Sequence, residues 1–332
     1  MPSPRLPKTM QVWTCPRYGG PETLTLEQLP IPKLAADAVL IRVHATTVSS
    51  GDARIRALRL PEGFALIAPL VLGFGGPRRA VFGSEVAGVV ARVGGNVSTF
   101  SEGDPVIAFT DTQLGGHAEY VVIKESGLIV PKPANLTIAQ AASLCFGGMT
   151  ASDYLRRAML QRDERLLVIG ASGTVGSACV QLAVAQGAHV TALTSTPNIA
   201  LVRSLGAHAV IDYTHQAFAT LGERWDVIAD TVGASSFSEC APALNEGGRY
   251  LAIAGALRDL FALRQGTKRS IAGPASASLK GLQALAALAE RGAYSPPIDS
   301  VFPFADMPAA HARVDSHRKR GSVVVQLMLD GP

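Results

Sequence analysis

Gly170, Gly173 and Gly176 follow a short apolar run at 166–169 and open a stretch of helical periodicity. Glycines at this spacing let a chain turn tightly, let a bound group approach the backbone, and let a helix lie close on a strand. The chemistry they suit is the seating of a pyrophosphate on the first N–H groups of a helix, where the helix dipole is positive. The usual G-x-G-x-x-G spacing falls on Ala171, Gly173 and Gly176, so alanine replaces the first glycine. Val175, Cys179, Leu182 and Ala183 share one helical face, and a β-rich run at 189–194 follows. Strand, tight turn, helix and strand in this order form a dinucleotide-binding unit. The alternative is a glycine-rich turn that binds nothing.

The second strand ends in Leu193, Thr194, Ser195, Thr196, Pro197 and Asn198, with no Asp or Glu among them. A carboxylate at that point holds the ribose hydroxyls of NAD. Without one, Ser195 and Thr196 can donate hydrogen bonds to a 2′-phosphate, and Tyr213, at the end of the third strand, can reach it. These residues predict NADPH in preference to NADH, with NADH still possible.

The elements that must hold this turn are legible in the patterning. Residues 10–130 carry short alternating runs, among them 39–43, 87–93, 105–109 and 118–123, separated by Gly, Pro, Asn and Asp turns. That spacing suits a barrel or sandwich. Residues 138–160 read as helix, with Thr137 as N-cap and an interruption at Gly147 and Gly148. From 165 to 291 strands (165–169, 189–194, 208–211, 226–230, 249–254) alternate with helices, the last at 276–291. The expectation is an α/β chain whose second part is a doubly wound parallel sheet. Strand character returns at 298–304 and 322–328. The expected division is therefore 1–134, completed by 296–332, and 135–295.

Composition narrows the function classes. The chain has 332 residues, 48% hydrophobic and 17% charged, enough apolar material for large cores. A net charge of +4 with only 6% aromatic residues argues against nucleic-acid binding. The four cysteines, Cys15, Cys145, Cys179 and Cys240, form no C-x-x-C pair, which argues against a disulfide framework or a structural zinc site. The N-terminus lacks an apolar leader, and the apolar stretch 63–76 is too short and broken for a membrane span. A cytoplasmic protein is expected.

Several separated motifs resemble the medium-chain dehydrogenase/reductase superfamily. They are 45–52; Gly83-Ser84-Glu85 with 87–90; 103–106; 116–120; 148–151; the glycine turn; and Leu205-Gly206-Ala207. The resemblance covers 10–330 and implies a GroES-like β-rich catalytic domain, a Rossmann domain, and a site in the cleft between them. Zinc-dependent members ligate the metal through a Cys and a His where this chain has Ser49 and Ser84. Hydroxyls are poor zinc ligands, and the four-cysteine lobe is missing. The chain thus resembles the zinc-independent, quinone-oxidoreductase-like branch, with no metal expected.

That resemblance implies hydride transfer from NADPH to a small hydrophobic electrophile, a quinone or an α,β-unsaturated carbonyl, in a homodimer. It places Ser49 and Asp52 at the nicotinamide end as the catalytic pair. It places Thr150 beside the nicotinamide, and Ser172, Gly173, Thr174 and Val175 at the pyrophosphate. Val232, Ile253 and Ala254 would flank the cofactor, and Ser322 belongs to the tail segment that closes over it. Pro197 departs from the pattern, since NADPH-selective members often carry Lys or Arg there; Arg203 is either a substitute or a solvated helix arginine. The apolar stretch 57–80 borders the substrate pocket as a lid, or else completes a core or subunit contact. His117 is either a proton donor or a structural histidine. Two rival classes remain: a non-catalytic NADPH-binding or redox-sensing protein, and an alcohol dehydrogenase with atypical ligands such as His44, Glu85 or His117.

Overall fold

The computed structural model describes residues 6–60, 68–255, 259, 261 and 263–327. The chain begins with an antiparallel ribbon of β1 (Thr9–Thr14) and β2 (Thr25–Pro30). The long strand β3 (Ala38–Val48) runs directly into helix α1 (Ser50–Ala57), and a short helix α2 (Ala68–Leu72) precedes β4 (Glu85–Val93). Then come β5 (Pro105–Phe109), β6 (Tyr120–Lys124) and β7 (Ile129–Pro131). Alternation along β3, with Val39, Ile41 and Val43 fully buried, supplies the apolar face on which this half closes.

The expected helix at 138–160 is two helices, α3 (Ile138–Ala142) and α4 (Cys145–Ala158). Thr137 caps α3 in a capping box with Gln140, as its position before the helix suggests. The break falls at Ser143–Leu144 rather than at the glycine pair. Gly147 and Gly148 continue α4 because their missing side chains are needed for packing. A Cβ on Gly147 would lie 2.6 Å from the Thr174 carbonyl oxygen, and one on Gly148 3.1 Å from the Tyr294 ring.

The second half is built from β8 (Arg165–Ile169), α5 (Thr174–Ala185), β9 (His189–Thr194), α6 (Ile199–Ser204), β10 (Ala209–Asp212), β11 (Trp225–Asp230), α7 (Phe237–Cys240) and β12 (Leu244–Ala252). A hairpin of β13 (Arg264–Gln265) and β14 (Lys268–Ile271) and then helix α8 (Leu279–Glu290) complete it. The sheet order is β10-β9-β8-β11-β12-β14-β13, parallel except for the last pair. Leu166, Leu167 and Val168 are all fully buried, as an unbroken apolar strand covered on both faces must be.

The chain ends in β15 (Ile298–Pro303), α9 (Met307–Asp315) and β16 (Ser322–Gln326). Both strands lie in the first sheet, ordered β15-β16-β3-β4-β5-β7, with β6 against β3. One apolar cluster runs from Ala45, Ala87 and Ile107 of that sheet through Leu144, Cys145 and Tyr154 of the linking helices to Val168 and Cys179. The chain therefore reaches the parallel sheet through packed helices, and a cleft is left along the strand ends.

Candidate active site

A cleft of about 1190 Å³ lies along the carboxyl ends of β8, β9, β11 and β12, with α1 and the 317–320 loop on its other side. Ligands of open parallel sheets bind at such ends.

The glycine turn forms the floor. Gly176 has no room for a side chain: a Cβ there would lie 2.1 Å from the Gly170 carbonyl oxygen. Gly173 differs. It N-caps α5 with φ −76° and ψ 175°, a conformation open to any residue, and its Cβ would meet nothing closer than 3.5 Å. The fold does not require glycine at 173, and the residue lines the cleft. Its bare Cα leaves a cradle beside the first N–H groups of α5, which have no intrahelical acceptors. A pyrophosphate fits that arrangement.

The tail closes over this floor. The Gly321 N–H donates to the Ser172 carbonyl at 2.8 Å, and the Thr174 hydroxyl donates to the Gly321 carbonyl at 2.7 Å. Lys319 donates to the Thr174 hydroxyl and, at 2.9 Å, to the Gly321 carbonyl. Burial pushes its ammonium down to about 8. Lys319 lines the cleft and places a cation at the mouth of the glycine turn. Ser322 lies beneath this clasp, buried, and does not line the cleft.

At the end of β9, Asn198 donates to the hydroxyls of Ser172 and Ser195, both at 3.1 Å, and all three line the cleft with Pro197 and exposed Tyr213. Thr196 is turned elsewhere. Its hydroxyl donates to Asp212 at 2.5 Å, and the hydroxyls of Thr196 and Thr214 hold that carboxyl down at about 2. Neither Thr196 nor Asp212 lines the cleft. On the opposite flank Val232, Ile253 and Ala254 line the cleft. The buried Asp230 carboxylate shapes their loop by accepting from the N–H groups of Val232 (3.0 Å), Gly233 (2.8 Å) and Ser235 (2.8 Å).

The other wall is α1, with Ser50, Gly51, Ala53 and Arg54 facing the cleft, and Arg59 just beyond the helix. Ser49 and Asp52 sit one residue behind it. Ser49 caps the helix, donating to Asp52 from its N–H at 2.8 Å and its hydroxyl at 2.6 Å; Asp52 also accepts from the Gly83 N–H at 3.0 Å. Their polar atoms are engaged with one another and with the Gly83 turn, and neither residue lines the cleft. Thr150 and Phe146 of α4 do line it, and the Thr150 hydroxyl donates to its own helix at Phe146, 2.7 Å.

Glu85 ties the halves together. It accepts from the Thr47 hydroxyl at 2.6 Å and from the Phe146 N–H at 2.7 Å, and burial raises its carboxyl to about 7. His117 is buried behind the wall with Nε2 2.9 Å from the Thr47 carbonyl and its ring edge-on to His311. Its place is structural. Among the described residues no three His, Cys, Asp or Glu side chains converge to hold a metal ion. Of the stretch 57–80, residues 61–67 lie outside the described residues, and Arg59 is the described member that reaches the cleft. Leu70, Val71 and Phe74 are exposed.

Lys319, Arg54, Arg59 and Asn198 were not among the residues expected at the site. Lys319 lies 145 positions from the threonine it touches, and no local pattern links the two. Arg54 had a faint signal, because it lies two positions after Asp52, a residue expected at the site.

Comparison with known proteins places these observations among relatives. A family model described as an alcohol dehydrogenase GroES-like domain matches residues 35–134, and one described as a zinc-binding dehydrogenase matches residues 205–325. The chloroplastic NADPH-dependent alkenal/one oxidoreductase of Arabidopsis thaliana is 32% identical over 96% of this chain and 80% of its own length. The 2-methylene-furan-3-one reductase of Solanum lycopersicum is 31% identical with the same coverage. The structure of the quinone oxidoreductase from Coxiella burnetii superposes with a TM-score of 0.82 at 24% identity, covering 97% of this chain and all of that one, and so shares the fold.

Proposed function

The chain belongs to the medium-chain dehydrogenase/reductase superfamily, in its quinone-oxidoreductase-like branch, and is an NAD(P)H-dependent oxidoreductase; from that premise we propose a zinc-independent reductase that uses NADPH to reduce an enone or quinone. The observation that carries this reading is the cradle at Gly173, open where the fold has no need of glycine and topped by Lys319. Bound there, the cofactor would supply a hydride, and water the proton that completes reduction of the acceptor.

The chain's own residues do the positioning. Ser172, Gly173, Thr174 and Val175 would seat the pyrophosphate with Lys319. Ser195 and Tyr213 are the groups left for a 2′-phosphate, since the Thr196 hydroxyl is taken by Asp212. Thr150, Val232, Ile253 and Ala254 would flank the nicotinamide and keep water from it. Ser49 and Asp52 act as positioning residues: their capping box fixes the direction in which α1 presents its wall.

Donor chemistry supports the absence of zinc from the reaction. The Ser49 hydroxyl, which replaces the expected thiolate, is bound to Asp52, and the Ser84 hydroxyl is no better a ligand. The names of the relatives support enones and quinones as acceptors and NADPH as the donor.

Titration of the protein with NADPH and NADH, followed by nicotinamide fluorescence, tests the cofactor assignment. NADPH should bind at least fivefold more tightly than NADH. Equal affinities would contradict the NADPH assignment.

A further inference from the structure

Two residues apart on α1, two arginines are treated in opposite ways. Arg56 is fully buried and held by three partners: it donates to the Gly19 carbonyl, to His311 Nδ1 and to Asp315. Arg54 lines the cleft and, among the described residues, its guanidinium has no hydrogen-bond acceptor or ion-pair partner. Arg59, at the same opening, is exposed and equally free of partners among the described residues. Asp315, the one carboxylate among the described lining residues, is already paired with Arg56. Arg54 is partly withdrawn from water, and burial pulls its pKa down with no counter-charge to offset it. A guanidinium left without a counter-charge on a cleft wall can receive an anion that arrives from outside.

The phosphates of a dinucleotide have seats elsewhere, at the glycine turn under Lys319 and at the ends of β9 and β10. Arg54 belongs to the opposite wall. There a Cβ on Gly51, one turn before it, would lie 3.9 Å from the Phe146 ring, and Thr150 lies one turn beyond Phe146. This is where an acceptor would meet the nicotinamide. We propose that Arg54, helped by Arg59, receives a carboxylate on the acceptor, so that the cleft selects carboxylate-bearing enones over neutral ones. The planar guanidinium can meet a carboxylate through two parallel N–H···O bonds. Lys319, Arg318 and Arg320 on the same cleft add a positive field that draws such a substrate in. The inference rests on the reductase reading above and names the class of acceptor within it.

The test compares trans-4-oxopent-2-enoate with its neutral methyl ester in the wild type, Arg54→Gln and Arg54→Lys, with NADPH as donor. The ratio of kcat/KM for carboxylate over ester should fall at least tenfold in Arg54→Gln, through the KM of the acceptor, and Arg54→Lys should keep part of it. An unchanged ratio overturns the proposal. So does a loss that appears in the KM for NADPH, which would make Arg54 a cofactor ligand. Calorimetric titration with the saturated keto acid 4-oxopentanoate separates this result from failure of the reductase reading. If no acceptor is reduced but the wild type binds the keto acid and Arg54→Gln does not, the anion seat stands and the reductase reading falls. If the wild type does not bind it, the seat falls.

Discussion

Lys319 titrates where an ordinary lysine does not, because burial against the first turn of α5 pushes its ammonium down to about 8. Below that pH the side chain is a cation at the pyrophosphate cradle, and above it the charge is lost. The kcat/KM for NADPH reports groups of the free enzyme, so it should fall as pH rises through about 8. Lys319→Met should remove that fall and raise the KM for NADPH roughly tenfold, the scale of one charge-assisted hydrogen bond. A pH profile that Lys319→Met leaves unaltered would place the lysine outside cofactor binding. Residues of this kind were not legible in the sequence. Gly173 could be read from local spacing, and Ser172, Thr174 and Val175 from the resemblance, whereas Lys319 and Arg54 reach the cleft because distant segments fold against it. The engagement of Thr196 by Asp212 was hidden for the same reason, since the two lie on successive strand ends that only the folded sheet brings together.

Elements were easier to read where burial is uniform. Strands β5, β8 and β9 coincide with the runs read from sequence, because each is a compact stretch of residues fit for a covered sheet between turn residues. The glycine pair in α4 misled, because glycine reads as a breaker when its reason is close approach. Gly147 and Gly173 give opposite expectations from the same substitution. Gly147→Ala drives a methyl group toward the Thr174 backbone and should cost about 1–3 kcal/mol, the usual price of overpacking. Gly173→Ala meets no protein atom closer than 3.5 Å, so the melting temperature should stay put while the KM for NADPH rises tenfold or more. Thermal melts and steady-state kinetics on the two variants distinguish these outcomes. A destabilised Gly173→Ala with normal NADPH affinity would mean that the cradle serves the fold and not a ligand.

At the scale of the molecule, one apolar cluster spans the two large sheets, and a long cleft is bordered by strand ends, the α1 wall and the tail clasp. Glu85 holds that geometry from within by joining β3 and β4 to the start of α4. No helix among the described residues is long and apolar enough to cross a membrane. On this reading the cleft reduces its acceptor with a nicotinamide cofactor and without zinc. The measurement that tests it most directly is NADPH oxidation, with product analysis, by chelator-stripped protein against neutral enones, carboxylated enones and quinones. NADPH and acceptor should be consumed in equal amounts, at the same rate before and after chelation. Activity lost on chelation and restored by zinc would contradict it, as would tight NADPH binding with no acceptor reduced.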